Sequence, residues 1–176
     1  MVTNVGFLRA INLGATRKFP KEAIVAATEA AGFTGVATHI NTGNVRFDTT
    51  MRSRARIEAA LERAYEDSQG FAVPTIVFTP AELRSIAADA ERFGAAHEGR
   101  HYVSLLKVAP TPETARQLEA RSSEQARVHV VGRAVHLLLA GDYHQASMSN
   151  TAVEKVLGVA TNRNLTVIRA LVQKWC

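Results

Sequence analysis

At 176 residues, with 47% apolar and 21% charged residues, the chain has the make-up of an ordinary globular protein and is long enough for one compact unit or two small lobes. No apolar run reaches the ~20 residues of a membrane span, so the expected address is cytoplasmic, with no membrane partner. The only cysteine is Cys176, the last residue, which excludes an internal disulfide or a thiolate cluster. The formal charge of +5 is spread among acidic neighbours along the helices, as in Arg54, Arg56, Glu58, Glu62 and Arg63. A dispersed excess of this kind reads first as a solvated face and only second as a nucleic-acid footprint.

In chain order, Val5 to Ile11 reads as a strand, placing Arg9 and Ile11 on one face and Asn12 on the other. Lys21 to Ala31 reads as a helix closed by Gly32. Val36 to Asn41 and Val45 to Asp48 form a hairpin about Thr42-Gly43-Asn44, a turn whose glycine and asparagine tolerate positive φ. Ile57, Ala60, Leu61, Ala64 and Tyr65 make the stripe of an amphipathic helix, Gly70 stops it, and Val73 to Phe78 is again a strand. The order β-α-β-β-α-β is that of a ferredoxin-like unit.

Thr79-Pro80 then starts a helix, threonine as cap and proline at its first position. Tyr102 to Val108 is a strand, Glu113 to Ala120 a short helix, and Arg127 to Val131 with Val135 to Leu139 a second hairpin. Helices follow at Thr151 to Leu157 and Leu165 to Lys174, with Ala160-Thr161-Asn162-Arg163-Asn164 as a lengthened junction. That junction is too long for a DNA-reading helix-turn-helix. The expected fold is α+β: two ferredoxin-like βαββαβ-type lobes, residues 1–79 and 80–176, forming one structural unit, the second lobe ending in extra helices.

Residues 97–101, His-Glu-Gly-Arg-His, match the zinc-protease string HExxH. That chemistry needs a helix, which puts the two imidazoles one turn apart. Here Gly99 interrupts the string and strand-like alternation begins at His101, where residues four apart stand ~13 Å from one another. The string therefore reads as loop and strand, with no metal and no cofactor. There is no phosphate-binding P-loop and no G-x-S-x-G elbow, and no acid/base constellation announces a reaction.

Leu8-Arg9-Ala10-Ile11-Asn12-Leu13-Gly14-Ala15, then Lys18-Phe19-Pro20, resembles the opening L-L-R-G-I-N-V-G-G pattern of the bacterial domain-of-unknown-function family 1697. His39 to Phe47 is similar to that family's Y-L-Q-S-G-N-V-V-F hairpin, and Val73 to Val77 to its V-P-V-I-V strand. Ser147 to Asn150, Leu157-Gly158 and Thr161 to Leu165 resemble its closing motifs. Alanine replaces glycine at Ala10 and Ala15, and His39, Asn41, Met148 and Leu165 stand where the family has tyrosine, glutamine, lysine and tryptophan. The resemblance implies two ferredoxin-like lobes and brings no activity with it. The amides and cations within these motifs suggest a polar groove for a small anionic ligand, lined by Arg9, Asn12, Lys18, Asn41, Asn44 and Arg163. Short amides at turns are also common as caps of the turns themselves.

Overall fold

The first strand, β1 (Val2–Leu8), alternates too weakly in polarity to be a surface strand; it is the inner member of a sheet, buried from Asn4 to Leu8. The computed structural model describes residues 1–141 and 146–176. It comprises two units, residues 1–80 with Trp175 and residues 81–174 with Cys176.

In the first unit β1 is followed by α1 (Lys21–Ala30), β2 (Thr34–His39), β3 (Asn44–Thr49), α2 (Arg54–Gln69) and β4 (Thr75–Phe78). All pairings are antiparallel, in the order β2-β3-β1-β4. This is the ferredoxin-like arrangement expected from the element order. Ser53 caps α2 by accepting from the Arg56 N–H, and Gly70, at φ 74°, ends it in the left-handed conformation that glycine adopts without strain. Between the helices and the sheet Phe19 meets Tyr65 edge to face, with centroids 5.2 Å apart, and Phe33 tilts on Phe47. The buried Tyr65 hydroxyl is paired with Thr28 Oγ1 at 2.8 Å. Gly43 cannot be replaced freely: it sits at φ 75°, and a Cβ there would lie 2.8 Å from the Leu8 Cβ.

The second unit takes up α3 (Pro80–Gly94), then β5 (Arg100–Leu106), α4 (Pro112–Glu119), β6 (Ala126–Val131), β7 (Ala134–Leu139), α5 (Asn150–Leu157), β8 (Ala160–Asn164) and α6 (Leu165–Trp175). Its sheet has the order β6-β7-β5-β8, again antiparallel throughout. The lobe thus completes its own βαββαβ unit, with α6 added after it. One expectation is corrected here: the polar junction Ala160 to Asn164 is a strand, paired with β5 from Tyr102↔Asn164 to Leu106↔Ala160. Pairing and the burial of Ala160, Thr161 and Arg163 override a composition poor in strand formers. Asn164 ends the strand and caps α6, its Oδ1 accepting from the Val167 N–H.

Terminal strands of both sheets are tied to helices by glutamates. Glu58 and Glu62 on α2 accept the N–H groups of Val77 and Thr75, each at 2.9 Å. The spacing matches because four helical residues rise ~6 Å and two strand residues ~6.6 Å. Glu119 does the same for Val130 of β6 and Glu154 for Ala160 of β8.

Candidate functional site

Five of the six sequence-predicted groove residues belong to the first unit, at one end of its sheet. The strand does not extend to Ile11 as expected; β1 ends at Leu8, and Ala10 and Asn12 take left-handed conformations at φ 57° and 55°. Arg9 to Asn12 therefore has no strand faces, and the predicted alternation of Arg9, Ile11 and Asn12 does not apply. The Asn12 side chain closes the loop on itself: Oδ1 accepts from the Phe19 N–H at 2.8 Å, while Nδ2 donates to the carbonyls of Phe19 and Asn41. Asn44 is buried, and its Nδ2 donates to the His39 carbonyl and to Thr42 Oγ1. These amides frame the two loops, beside which Lys18 is exposed and Arg9 half-buried.

Arg17 completes the frame. Its Nε donates to the Ala10 carbonyl at 2.7 Å, an Nη donates to the Ala72 carbonyl at 2.6 Å, and the guanidinium lies over the Phe71 ring. The sixth predicted residue, Arg163, is in the second unit. It is buried in β8, its guanidinium bonded to Thr161 Oγ1 and the Asn162 carbonyl, and burial pulls its pKa down to about 10.

A polar cleft of about 550 Å³ opens in the second unit where the end of α3, the start of β5 and the first turns of α6 converge. Glu91, His97, Arg100, His101, Tyr102 and Arg169 are among the residues that line it, with Leu165 and Thr166 from the N-terminal turn of α6. The amides of a first helical turn lack partners within the helix and carry partial positive charge. Arg169 grips Glu91 side by side, Nε to Oε1 at 2.7 Å and an Nη to Oε2 at 2.9 Å. That hydrogen bonding holds the Glu91 carboxyl below, and the Arg169 guanidinium above, their ordinary pKa values.

His97, Gly99, Arg100 and His101 of the HExxH string line this cleft, Glu98 does not, and none of the five lies on a helix. His97 Nε2 is 3.2 Å from the Arg100 carbonyl, whereas His101, in β5, turns its Nε2 to His136 Nδ1 at 3.2 Å. Gly99 is required between them, because a Cβ there would collide with the Leu139 carbonyl and the His97 ring. Behind His101 the imidazoles continue across the sheet. His136 is fully buried opposite His129, and Phe93 of α3 stacks on His129 at 4.2 Å between centroids. Desolvation, reinforced by repulsion from His97 and Arg169 at His101 and from His101 at His136, pulls each of the two imidazoles down to about 4, so both are neutral at pH 7. Among the described residues no group of three or more His, Cys, Asp or Glu is arranged to hold a metal ion.

A groove of about 630 Å³ in the first unit, along α1 and α2, is lined mainly by alanines, with Arg63, Asp67 and Ser68 as its polar groups. The cleft of the second unit is the stronger site, since it gathers two guanidinium groups, two imidazoles, a phenol and a helix N-terminus. Sequence reasoning missed it because Glu91, Arg100 and Arg169 come from three separated elements. The only local signal was the HExxH string, four of whose residues line the cleft.

The family model described as "Protein of unknown function (DUF1697)" matches residues 1–136. The solved structure of a conserved bacterial protein from Streptococcus pneumoniae is similar over 97% of each chain, with a TM-score of 0.74 and 14% identity. At that identity the likeness is one of fold. No curated protein matches the chain.

Proposed function

The chain belongs to that family of unknown function, and on that premise we propose that it is a bacterial cytoplasmic binding protein for a small anionic ligand. The reading is carried by one observation: Arg100, Arg169 and the first turn of α6 converge on a polar cleft of about 550 Å³. Guanidinium groups and helix N-termini both favour carboxylate and phosphate oxygens. Tyr102 and the two imidazoles add hydrogen-bonding groups that can fix the orientation of what enters. No reaction is assigned, because among the described residues the wall offers one carboxylate, already held by Arg169, and two histidines with partners of their own.

The sequence-predicted residues enter the proposal in a different capacity. Asn12 and Asn44 hold the loops of the first unit by their side chains and Asn41 by its carbonyl, while exposed Lys18 offers a cation to an anionic partner there. Arg163 braces the strand that leads into α6.

Thermal-shift screening against organic carboxylates and phosphate esters tests the reading. Ligand at a hundred times its Kd adds ~2.7 kcal/mol of stability, or a rise of roughly 5–10 °C for a chain of this size. That rise should vanish in Arg169→Gln. A flat response across the panel would remove the proposal. Nucleic-acid binding through the basic surface is the competing outcome, recognised by retardation of DNA or RNA at low salt that disappears at moderate salt.

A further inference from the structure

We infer that Glu91 is a built-in occupant of the ligand's anion subsite, holding on Arg169 the place that the carboxylate or phosphate of a bound ligand takes. The inference rests on the reading of the cleft as an anion site and adds to it the atoms that receive the anion. Glu91 Oε1 and Oε2 meet Nε and an Nη of Arg169 in two parallel hydrogen bonds, the fork geometry in which a guanidinium grips a free carboxylate or phosphate. Both side chains line the cleft, and both are more than half exposed, at 58% and 55%. The occupant is therefore removable: it can swing into water without leaving a buried charge.

Magnitudes support exchange over a fixed tether. An exposed ion pair is worth at most about a factor of five in an equilibrium constant, so displacing Glu91 costs a ligand no more than that. Among the described residues Glu91 makes its hydrogen bonds to Arg169 alone. An incoming anion can exchange that fork like for like and gain Arg100 and those first-turn amides of α6 that Asn164 does not already hold. The fork is specific for two oxygens on one atom, which suits carboxylates and phosphate monoesters and disfavours halide.

The test is isothermal titration with citrate and with inorganic phosphate at low ionic strength, using the intact chain. Four proteins are compared: wild type, Glu91→Gln, Arg169→Gln and Glu113→Gln, the last removing one negative charge from α4 of the same lobe. The expected result is two- to fivefold tighter binding of at least one anion by Glu91→Gln, no binding by Arg169→Gln, and wild-type affinity in Glu113→Gln. Equal or weaker binding by Glu91→Gln, with wild type binding and Arg169→Gln not, overturns the inference and leaves the cleft as the anion site. Equal tightening in Glu113→Gln overturns it too, since net charge alone then explains the gain. Binding retained in Arg169→Gln moves the anion elsewhere and overturns it. Failure of both wild type and Glu91→Gln to bind either anion overturns the inference and the cleft reading together. Melting temperatures of the three variants within a few degrees of wild type establish that folded proteins are being compared.

Discussion

His101 Nε2 lies 3.2 Å from His136 Nδ1, so a single proton serves the contact, one ring donating and the other accepting. Both imidazoles are pulled to about 4 in the folded state, while an unfolded chain protonates them near 6.5. With folded pKa values below unfolded ones, the unfolded state binds more protons as pH falls. The stability held in this pair is therefore complete above pH ~6.5 and is lost progressively toward pH ~4. Urea midpoints measured from pH 7.5 to 4 should show that decline, and His136→Leu should flatten it. An unchanged slope in the variant would assign the acid sensitivity to other groups.

Ala10 holds φ 57°, a left-handed conformation that glycine adopts more readily than alanine. A left-handed residue with a Cβ costs ~1–2 kcal/mol, and glycine returns part of this through its freer unfolded chain. Ala10→Gly should therefore stabilise the first lobe by about 0.5–1 kcal/mol, read as a higher urea midpoint at constant slope. Destabilisation would mean that the Ala10 methyl contributes packing that outweighs the strain.

Asn12→Ala removes two hydrogen bonds within its own loop and one to the neighbouring loop of the first lobe, and leaves an alanine at φ 55°. A loss of about 2–3 kcal/mol is expected, since each bond contributes ~0.5–1.5 kcal/mol and the conformation adds strain. Unaltered stability would instead return Asn12 to the role of a free ligand contact.

The HExxH string should carry no stoichiometric zinc. His97 and His101 have separate partners, and the residue between them on the cleft rim must be glycine for β5 to pass the Leu139 carbonyl. Metal analysis giving one zinc per chain, abolished by His97→Ala with His101→Ala, would contradict this. Gly99→Ala should cost several kcal/mol, in the range typical of a forced backbone clash, measured by the same urea titration.

The fold was largely legible because its signals are local. Apolar alternation, the Thr42-Gly43-Asn44 turn and the stripe from Ile57 to Tyr65 each mark their own element, and their order identifies the lobe. What was not legible depends on distant partners. Ala160 to Asn164 has no strand signal of its own and is extended because β5 pairs with it. Arg9 to Asn12 imitates a strand in sequence, yet bonds from Arg17 and Asn12 bend it into left-handed turns. The cleft has no contiguous motif at all: Glu91 and Arg169 meet across 78 residues. Asn12 and Asn44 were visible as important, but their chemistry, available equally to a ligand or a carbonyl, is used on the chain itself.

The glutamates at the sheet borders have a consequence for how copies of this chain behave toward one another. A strand at the border of a sheet offers free amides on which another chain can build a fifth strand, the first step of templated aggregation. On β4 the amides of Thr75 and Val77 are already taken by Glu62 and Glu58, and on β6 and β8 Glu119 and Glu154 take those of Val130 and Ala160. An intruding strand would have to displace a carboxylate and leave its charge beside the new pairing. The remaining border, β2, slips its register between Thr34 and Ala37, which spoils the flat run a newcomer needs. Three of the four borders thus spend helix glutamates on strand amides, and the fourth is bent out of register, so each border resists growth beyond four strands.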